Sequence, residues 1–219
     1  MKLRVGLLLI TMLFSLAAKC ERQYTADPKD VDNYVHSFSQ EDVELFKDLF
    51  KKGMNPNSIG SWGGTILHSA TFALQDKDWT EKHDQILEMF IKAGFELNSL
   101  KDGNMSLSKT VLMRAVDGGN YKMAKKLLEL GADVNFVVTY PGIAGSVSAL
   151  SVAINDPDKY KFIMPYNPDP MDKGTCATYI EAQRDDIFGQ RYMRKLIKAG
   201  KVDEKYCQEV YRCRWGTCQ

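Results

Sequence analysis

Apolar residues fall in adjacent pairs, spaced as on one face of a helix, in four stretches of the chain. The pairs are Leu45/Phe46 with Leu49/Phe50, Ile86/Leu87 with Phe90/Ile91, Met123/Ala124 with Leu127/Leu128, and Tyr192/Met193 with Leu196/Ile197. Each set forms one apolar stripe on an amphipathic helix. A glycine that can adopt positive φ follows each stretch, at Gly53, Gly94, Gly131 and Gly200. The pattern predicts four helices that bury their stripes against neighbours.

The segments around these helices repeat as well. Similar tetrapeptides follow the first three glycines, at residues 54–57, 95–98 and 132–135, whereas residues 201–204 differ. Segments that begin with Thr or Ser and end with Ala precede the last three helices, at residues 65–70, 110–115 and 148–153. The small alanine side chain lets a preceding short helix approach its partner closely. A helix, a turn and a second helix therefore make one repeated unit.

This unit resembles the ankyrin repeat over residues 30–205. The intervals from Gly53 to Thr65 and from Thr110 to Gly131 together make the period of about 33 residues that is typical of that family. The resemblance implies an all-α ankyrin-repeat solenoid of about four repeats, whose stacked units share one core. The equivalent intervals 65–94 and 148–200 are longer than the interval 110–131 by about eight and about thirty-one residues, and we expect these insertions to lie in loops.

The N-terminal residues 1–19 have the pattern of a secretory signal peptide. Lys2 and Arg4 make a basic start, residues 5–16 are almost entirely apolar, and small residues stand at 15–18. Charged residues from Lys19 onward end the apolar run before the roughly twenty residues that a membrane span needs. We therefore expect export to the periplasm or the medium, a linker at residues 20–29, and no membrane span.

Cys20, directly after this segment, is a candidate for lipidation and for anchoring the chain to a bacterial membrane. The residue before a lipidated cysteine is normally Gly, Ala or Ser, but here it is Lys19. The residue three positions before it is usually Leu, but here it is Ala17. The match is therefore poor. Without Cys20, however, an even number of cysteines remains, which suits an oxidising compartment.

The four remaining cysteines are confined to the C-terminal part of the chain. They are Cys176, Cys207, Cys213 and Cys218, in the fourth repeat's insertion and in a cysteine-rich tail at residues 206–219. We expect two disulfides that staple a C-terminal cap onto the solenoid. The alternative, a zinc site, lacks a closely spaced Cys-x-x-Cys pair and a nearby histidine.

Charge and motifs give little support to other kinds of function. The chain has 29 basic and 28 acidic residues, and loss of residues 1–18 leaves 27 basic ones, so nucleic acid is not an expected partner. The resemblance gives His68 a structural role in the turn, and His83, beside Glu81 and Asp84, is expected in a solvated charge cluster. No nucleophile elbow, phosphate loop or cofactor motif occurs, so we expect a protein that is not an enzyme and holds no metal or cofactor.

The resemblance implies protein binding through the turns between repeats and the concave face of the first helices. The residues placed there are Ile59, Ser61, Trp62, Lys101, Asp102, Asn104, Tyr140 and Ile143 on turns, and Phe72, Arg114 and Asp117 on first helices. Two interpretations of Trp62 stay open. It is an exposed hot spot for a partner, or it packs over the neighbouring turn.

Function is therefore expected to reside in a protein partner. The combination of ankyrin repeats and an export signal is similar to that of exported bacterial ankyrin proteins that act as periplasmic immunity proteins against lipase effectors of type VI secretion. An immunity protein that neutralises such a toxin is the leading hypothesis. The alternatives are a scaffold or accessory protein for another envelope protein, and a hydrolase whose site lies in residues 155–190.

Overall fold

A computed structural model describes residues 24–100, 109–139, 146–181 and 188–213. In these ranges the chain forms eleven α-helices, one two-stranded hairpin and two short 3-10 helices. The helices are α1 Pro28–Ser39, α2 Val43–Lys51, α3 Ile66–Ala73, α4 Glu81–Lys92, α5 Val111–Asp117, α6 Tyr121–Glu129, α7 Ala149–Ala153, α8 Pro157–Ile163, α9 Lys173–Glu181, α10 Phe188–Lys198 and α11 Glu204–Cys213. Strand β1, Val138–Thr139, pairs antiparallel with β2, Ser146–Val147. The predicted all-α fold is confirmed.

The helices stack as consecutive pairs. The odd-numbered helices α1 to α11 form an inner row in which each packs on the next, and the even-numbered helices α2 to α10 form an outer row. Helices α2, α4, α6 and α10 contain the four apolar stripes that the sequence predicts. No helix within the described ranges is long and apolar enough to cross a bilayer.

Each of the four predicted glycines ends an outer helix in the left-handed conformation. Their φ values are 83° at Gly53, 95° at Gly94, 98° at Gly131 and 67° at Gly200. The glycine N–H bonds back three residues and the next N–H bonds back five, as from Met54 to the Leu49 carbonyl at 3.0 Å. These two hydrogen bonds close the C-terminal end of a helix and require a residue with positive φ at the turn. Glycine adopts that conformation readily, which explains why it recurs there.

The expected loop insertion in residues 148–200 is wrong, because most of this interval is helical. It contains α8, the outer helix of a fourth pair, and α9, the inner helix of a fifth pair, whose outer helix is α10. The stretch at 192–200 therefore ends a fifth pair and not the fourth repeat. Sequence periodicity missed the fourth outer turn because Asn167, with φ of 54°, replaces the expected glycine.

An asparagine ladder shows that Asn167 takes the place of a glycine. Asn57, Asn98 and Asn135 each accept a backbone N–H from the turn of the following pair, and the donor stands two residues after the left-handed residue. The N–H groups of Glu96, Asp133 and Asp169 lie 3.0, 3.0 and 2.7 Å from these oxygens. Each bond links one pair to the next, so the first four turns share one register.

The inner helices begin at side chains that cap their N-termini. Thr65, Thr110 and Ser148 each accept the N–H three residues ahead. Asp172 does the same for α9, with its Oδ1 2.9 Å from the Thr175 nitrogen. Such caps satisfy backbone donors that a helix end leaves unpaired. The Thr or Ser at residues 65, 110 and 148 thus marks the start of an inner helix. Asp172 marks the start of α9, the inner helix that sequence reasoning missed.

The cysteines close the C-terminal end of the array. Cys176 of α9 and Cys207 of α11 form a disulfide with their Cα atoms 4.7 Å apart. Cys213 is disulfide-bonded too, and Cys218 lies outside the described residues. The expected boundary between repeats and tail at 205/206 falls inside α11, and α1 begins at Pro28 inside the expected linker 20–29. The terminal cap is therefore a helix stacked on α9.

The other expected insertion, in residues 65–94, lengthens the connection between α3 and α4, where Asp76–Asp78 forms a 3-10 turn.

The expected solvated cluster at His83 is wrong. His83 is only 1% exposed and stacks on buried Trp79 with ring centroids 5.1 Å apart. Its Nδ1 lies 3.1 Å from the Thr80 N–H, which donates to it at the start of α4. His83 thus caps a helix inside the core.

Candidate protein-binding surface

The first turn between pairs is a narrow finger at residues 59–65. Ile59 and Thr65 form an antiparallel bridge at its base, and the Gly60 N–H donates to the Gly64 carbonyl at 2.9 Å. Trp62 lies at the tip and is 88% exposed, whereas Ile59 at the base is 37% exposed. Trp62 therefore does not pack over the neighbouring turn, and its indole is presented to solvent.

Asp32 on α1 fixes the finger in place. The Ser61 N–H donates to Asp32, with Oδ1 at 3.2 Å and Oδ2 at 3.4 Å. A Cβ at Gly60 would collide with the Asp32 carboxylate, so a side chain there would displace the group that holds the finger. A braced finger loses little conformational freedom when a partner binds. Sequence reasoning missed Asp32, because a single aspartate on a polar helix carries no distinguishing signal.

The first helices present a second group of exposed side chains. Phe72 on α3 is 76% exposed. The Arg114 guanidinium on α5 lies 5.1 Å from the centroid of its ring, a distance suited to a cation–π contact. The two side chains come from neighbouring pairs, so the contact links α3 and α5 across the face of the inner row. Phe72 and Arg114 form one aromatic and cationic cluster there.

Asp117 extends this cluster toward the fourth pair. Lys109 binds the Asp117 carboxylate, and Lys159 of α8 lies 3.4 Å from its Oδ1. Burial raises the pKa of the Asp117 carboxyl, but the two lysines outweigh burial and the pKa lies below its ordinary value. Asp117 is therefore ionised at neutral pH and holds Lys109, which precedes α5, and Lys159 of the outer helix α8 in position.

Several of the expected binding residues lie outside the described residues. They are Lys101, Asp102 and Asn104 before α5, and Tyr140 and Ile143 between β1 and β2. Cys20, the candidate for lipidation, also lies outside the described residues. Strands β1 and β2, which flank residues 140–145, pair Val138 with Val147 and Thr139 with Ser146. Their hairpin stands between the third and fourth pairs, as the Trp62 finger stands between the first and second.

Residues 34–137 match the family model described as ankyrin repeats (3 copies). The chain contains ankyrin repeats. The match covers most of the first three helix pairs and ends just before β1. The fourth and fifth pairs continue the stacking of helices beyond the matched segment. No curated protein matches the chain. Ankyrin repeats are a protein-binding module, typically without enzymatic activity, and their stacked units offer an extended concave surface.

A polar cluster that includes two residues of the suggested hydrolase region 155–190 has a structural role in the stacked helices. The Ser148 and Thr175 hydroxyls donate to the Asp172 Oδ2 at 2.9 and 2.6 Å. All three side chains are buried, and burial raises the pKa of the Asp172 carboxyl against the effect of these hydrogen bonds. The chain's three histidines, at positions 36, 68 and 83, belong to the first two pairs. The cluster therefore caps α7 and α9 and has no histidine to act as a base.

The exposed side chains thus form a surface suited to a protein. Trp62 and Phe72 supply large apolar anchors, and Arg114, Asp117 and the two lysines supply charged groups beside them. Aromatic residues and arginine are the side chains most enriched among binding hot spots. Within residues 24–100, 109–139, 146–181 and 188–213 no group of side chains is arranged to hold a metal ion.

Proposed function

We propose that this chain is an exported immunity protein that binds a toxin delivered to the periplasm and blocks its active site. The candidate toxin is a lipase effector of type VI secretion. The observation that carries the proposal is the pair of exposed aromatic anchors, Trp62 at 88% and Phe72 at 76% exposure, on a braced finger and an inner helix. Large aromatic side chains are enriched among the hot spots of protein interfaces, and these two are available for a partner to bury.

Two features support an exported location. The basic, apolar and small residues of segment 1–19 follow the order of a signal peptide. The disulfide between Cys176 and Cys207 suits an oxidising compartment such as the periplasm. In this proposal Cys20 is a candidate lipid anchor that would keep the protein at the membrane where a toxin arrives.

The anchors would hold the toxin by burying aromatic area. Truncation of a hot-spot aromatic costs about 2 kcal/mol or more of binding free energy, which is about a thirty-fold rise in Kd. Asp32 would contribute indirectly, because it fixes the finger in its binding conformation. The charged group of Arg114, Asp117, Lys109 and Lys159 would orient the toxin and suppress wrong partners.

The test pairs this chain with the secreted product of its neighbouring gene. Affinity would be measured for the parent, Trp62→Ala and Phe72→Ala, together with the survival of cells exposed to the toxin. Each variant should bind about thirty-fold more weakly and should lose protection, with an unchanged melting temperature. Tyr24→Ala is the matched control, since Tyr24 is 40% exposed but lies outside the finger and the inner helices.

Two results would overturn parts of this proposal. Full binding and protection by both aromatic variants would exclude the finger and inner row as the interface. If the parent binds an envelope protein and no toxin, the scaffold function replaces the immunity function.

A further inference from the structure

The C-terminal end of the array contains a cleft that the proposed function does not use. It has a volume of about 590 Å³ and is lined by Tyr179, Arg194, Ile197, Lys198 and Glu204. These residues come from α9, α10 and α11, so the cleft belongs to the fifth pair and the terminal helix. Trp62 and Phe72 belong to the first two pairs, at the other end of the array.

One face of α10 supplies most of the cleft. Arg194, Ile197 and Lys198 stand at spacings of three and four residues, which places them on the same side of the helix. Ile197 packs against the neighbouring core, and the two basic residues are exposed. On the opposite side the Tyr179 hydroxyl donates to the Glu204 Oε1 at 3.2 Å. Among the described lining residues, the cleft thus joins an apolar floor to two exposed cations, and the Glu204 carboxylate accepts a hydrogen bond from Tyr179.

The cleft lies in the most basic part of the array. Residues 188–213 contain seven basic and three acidic residues, and all seven basic side chains are exposed. Residues 24–100 show the reverse, with thirteen acidic and seven basic residues. A chain with almost no net charge therefore has a basic end, and such a field attracts acidic partners.

We propose that this cleft is a second binding site, which takes an acidic side chain from a loop of a protein partner. The partner's carboxylate would bind between Arg194 and Lys198 as a charge-assisted hydrogen-bond acceptor, while its aliphatic carbons contact Ile197. The inference rests on the proposed function only in taking the partner to be a protein. A glutamate fits this combination of cations and apolar floor better than an isolated inorganic anion, which would make no use of Ile197.

The test uses the mature chain with its disulfides intact and a fluorescent ten-residue glutamate-rich peptide as the probe. A peptide with glutamine in place of glutamate is the reference. Fluorescence anisotropy at an ionic strength of about 0.15 M should show the glutamate peptide bound about ten-fold more tightly, because only it offers carboxylates. The variant Arg194→Glu/Lys198→Glu should lose this preference.

A matched variant separates the cleft from net charge. Lys92→Glu/Lys161→Glu makes the same change in charge on two exposed outer-helix lysines of the second and fourth pairs, and it should bind the glutamate peptide within about three-fold of the parent, since distant exposed charges are largely screened. Lys198→Gln alone should weaken binding measurably and guards against a folding defect in the double variant. Melting temperatures would be measured for all variants.

Three results would overturn the proposal. They are equal affinity for the glutamate and glutamine peptides, equal losses in the two double variants, and tighter binding of a labelled single-stranded oligonucleotide or of inorganic phosphate than of the glutamate peptide. Trp62→Ala should bind the peptide as the parent does, because Trp62 is not part of the cleft. Failure of the peptide test therefore does not affect the proposed function, and failure of the toxin-binding test does not affect the cleft proposal.

Discussion

The first four helix pairs and the C-terminal end of the array are held together in different ways. The first four pairs share one apolar cluster that runs from Ala26 to Ile163 and includes Phe46, Phe90 and Leu127. The fifth pair and α11 share a smaller cluster of Cys176, Tyr179, Met193, Val202 and Cys207, which Ile154 at the end of α7 joins. A stacked repeat is stabilised by neighbours on both sides, whereas a terminal helix has a neighbour on one side only.

The comparison shows what an array needs at its end. Helix α11 packs on α9 as each inner helix packs on the next, and the two are crosslinked at equivalent positions. Asp172 and Asp203 cap them, and Cys176 and Cys207 stand four residues after these caps. We infer that the crosslink offsets the apolar contacts that a further repeat would have supplied.

The largest expected effect comes from breaking the shared core of the first four pairs. Leu127 is fully buried, so Leu127→Ala should destabilise the array by about 2–5 kcal/mol. Denaturant unfolding followed by circular dichroism would measure this. Lys125→Ala, an exposed change on the same helix, should stay within about 0.5 kcal/mol of the parent. Equal stability of the two variants would contradict the assignment of Leu127 to the core.

Removing the crosslink tests the other region. Cys176→Ser/Cys207→Ser should cost about 2–4 kcal/mol, because the unfolded chain gains the freedom that the disulfide removed. The loss should be local. Amide hydrogen exchange should accelerate in α9 and α11 and stay unchanged in α3 and α5. Uniform acceleration along the array would show that its two regions unfold as one unit.

Gly174 tests the junction between the regions. A Cβ at this position would lie 2.9 Å from the Ser148 nitrogen and 3.0 Å from the Ser146 carbonyl oxygen. Both atoms belong to the backbone, so Gly174→Ala must push α9 away from β2 and the N-terminal cap of α7, at a cost of about 1–3 kcal/mol typical of overpacking. Thermal unfolding would measure the cost. A stabilised variant, as expected for alanine in an unconstrained helix, would show that α9 does not approach these backbone atoms this closely.

The smallest expected effect is a pH dependence confined to the first region. Burial lowers the pKa of His83 in the folded chain, against the opposing effect of Glu41. The unfolded chain therefore binds the proton more tightly, and stability should fall as the pH drops below about 6.5, the ordinary value for histidine. The slope of unfolding free energy between pH 7 and pH 5 should diminish in His83→Gln. An unchanged slope would assign the dependence to other groups.

Sequence periodicity predicted the amphipathic outer helices of four pairs correctly, because stripe spacing and a terminal glycine are both local signals. It failed at α8 and α9 for equally local reasons. Asn167 supplies the left-handed turn without a glycine, and Asp172 caps α9 where the other caps are Thr or Ser. Ala177, five residues after Asp172 as Ala70 is after Thr65, was an available signal for the missing helix.

The candidate surface could be predicted only in part. The resemblance placed Trp62 and Phe72 on a turn and a first helix, but exposure depends on long-range packing that a sequence does not display. The contact between Asp32 and the finger joins residues 29 positions apart. The cleft at Arg194 is lined in part by α9, a helix that sequence periodicity did not predict. The cleft therefore could not be predicted from the sequence.

The most direct test of the account is an amide hydrogen-exchange footprint of the bound partner. The product of the neighbouring gene would be added to the parent chain, and exchange would be compared with that of the free chain. We expect slower exchange in residues 59–65 and in α3, where Trp62 and Phe72 are presented. Protection confined to the outer helices α2, α4 and α6, with residues 59–65 unchanged, would contradict the central claim that the finger and inner row bind the partner.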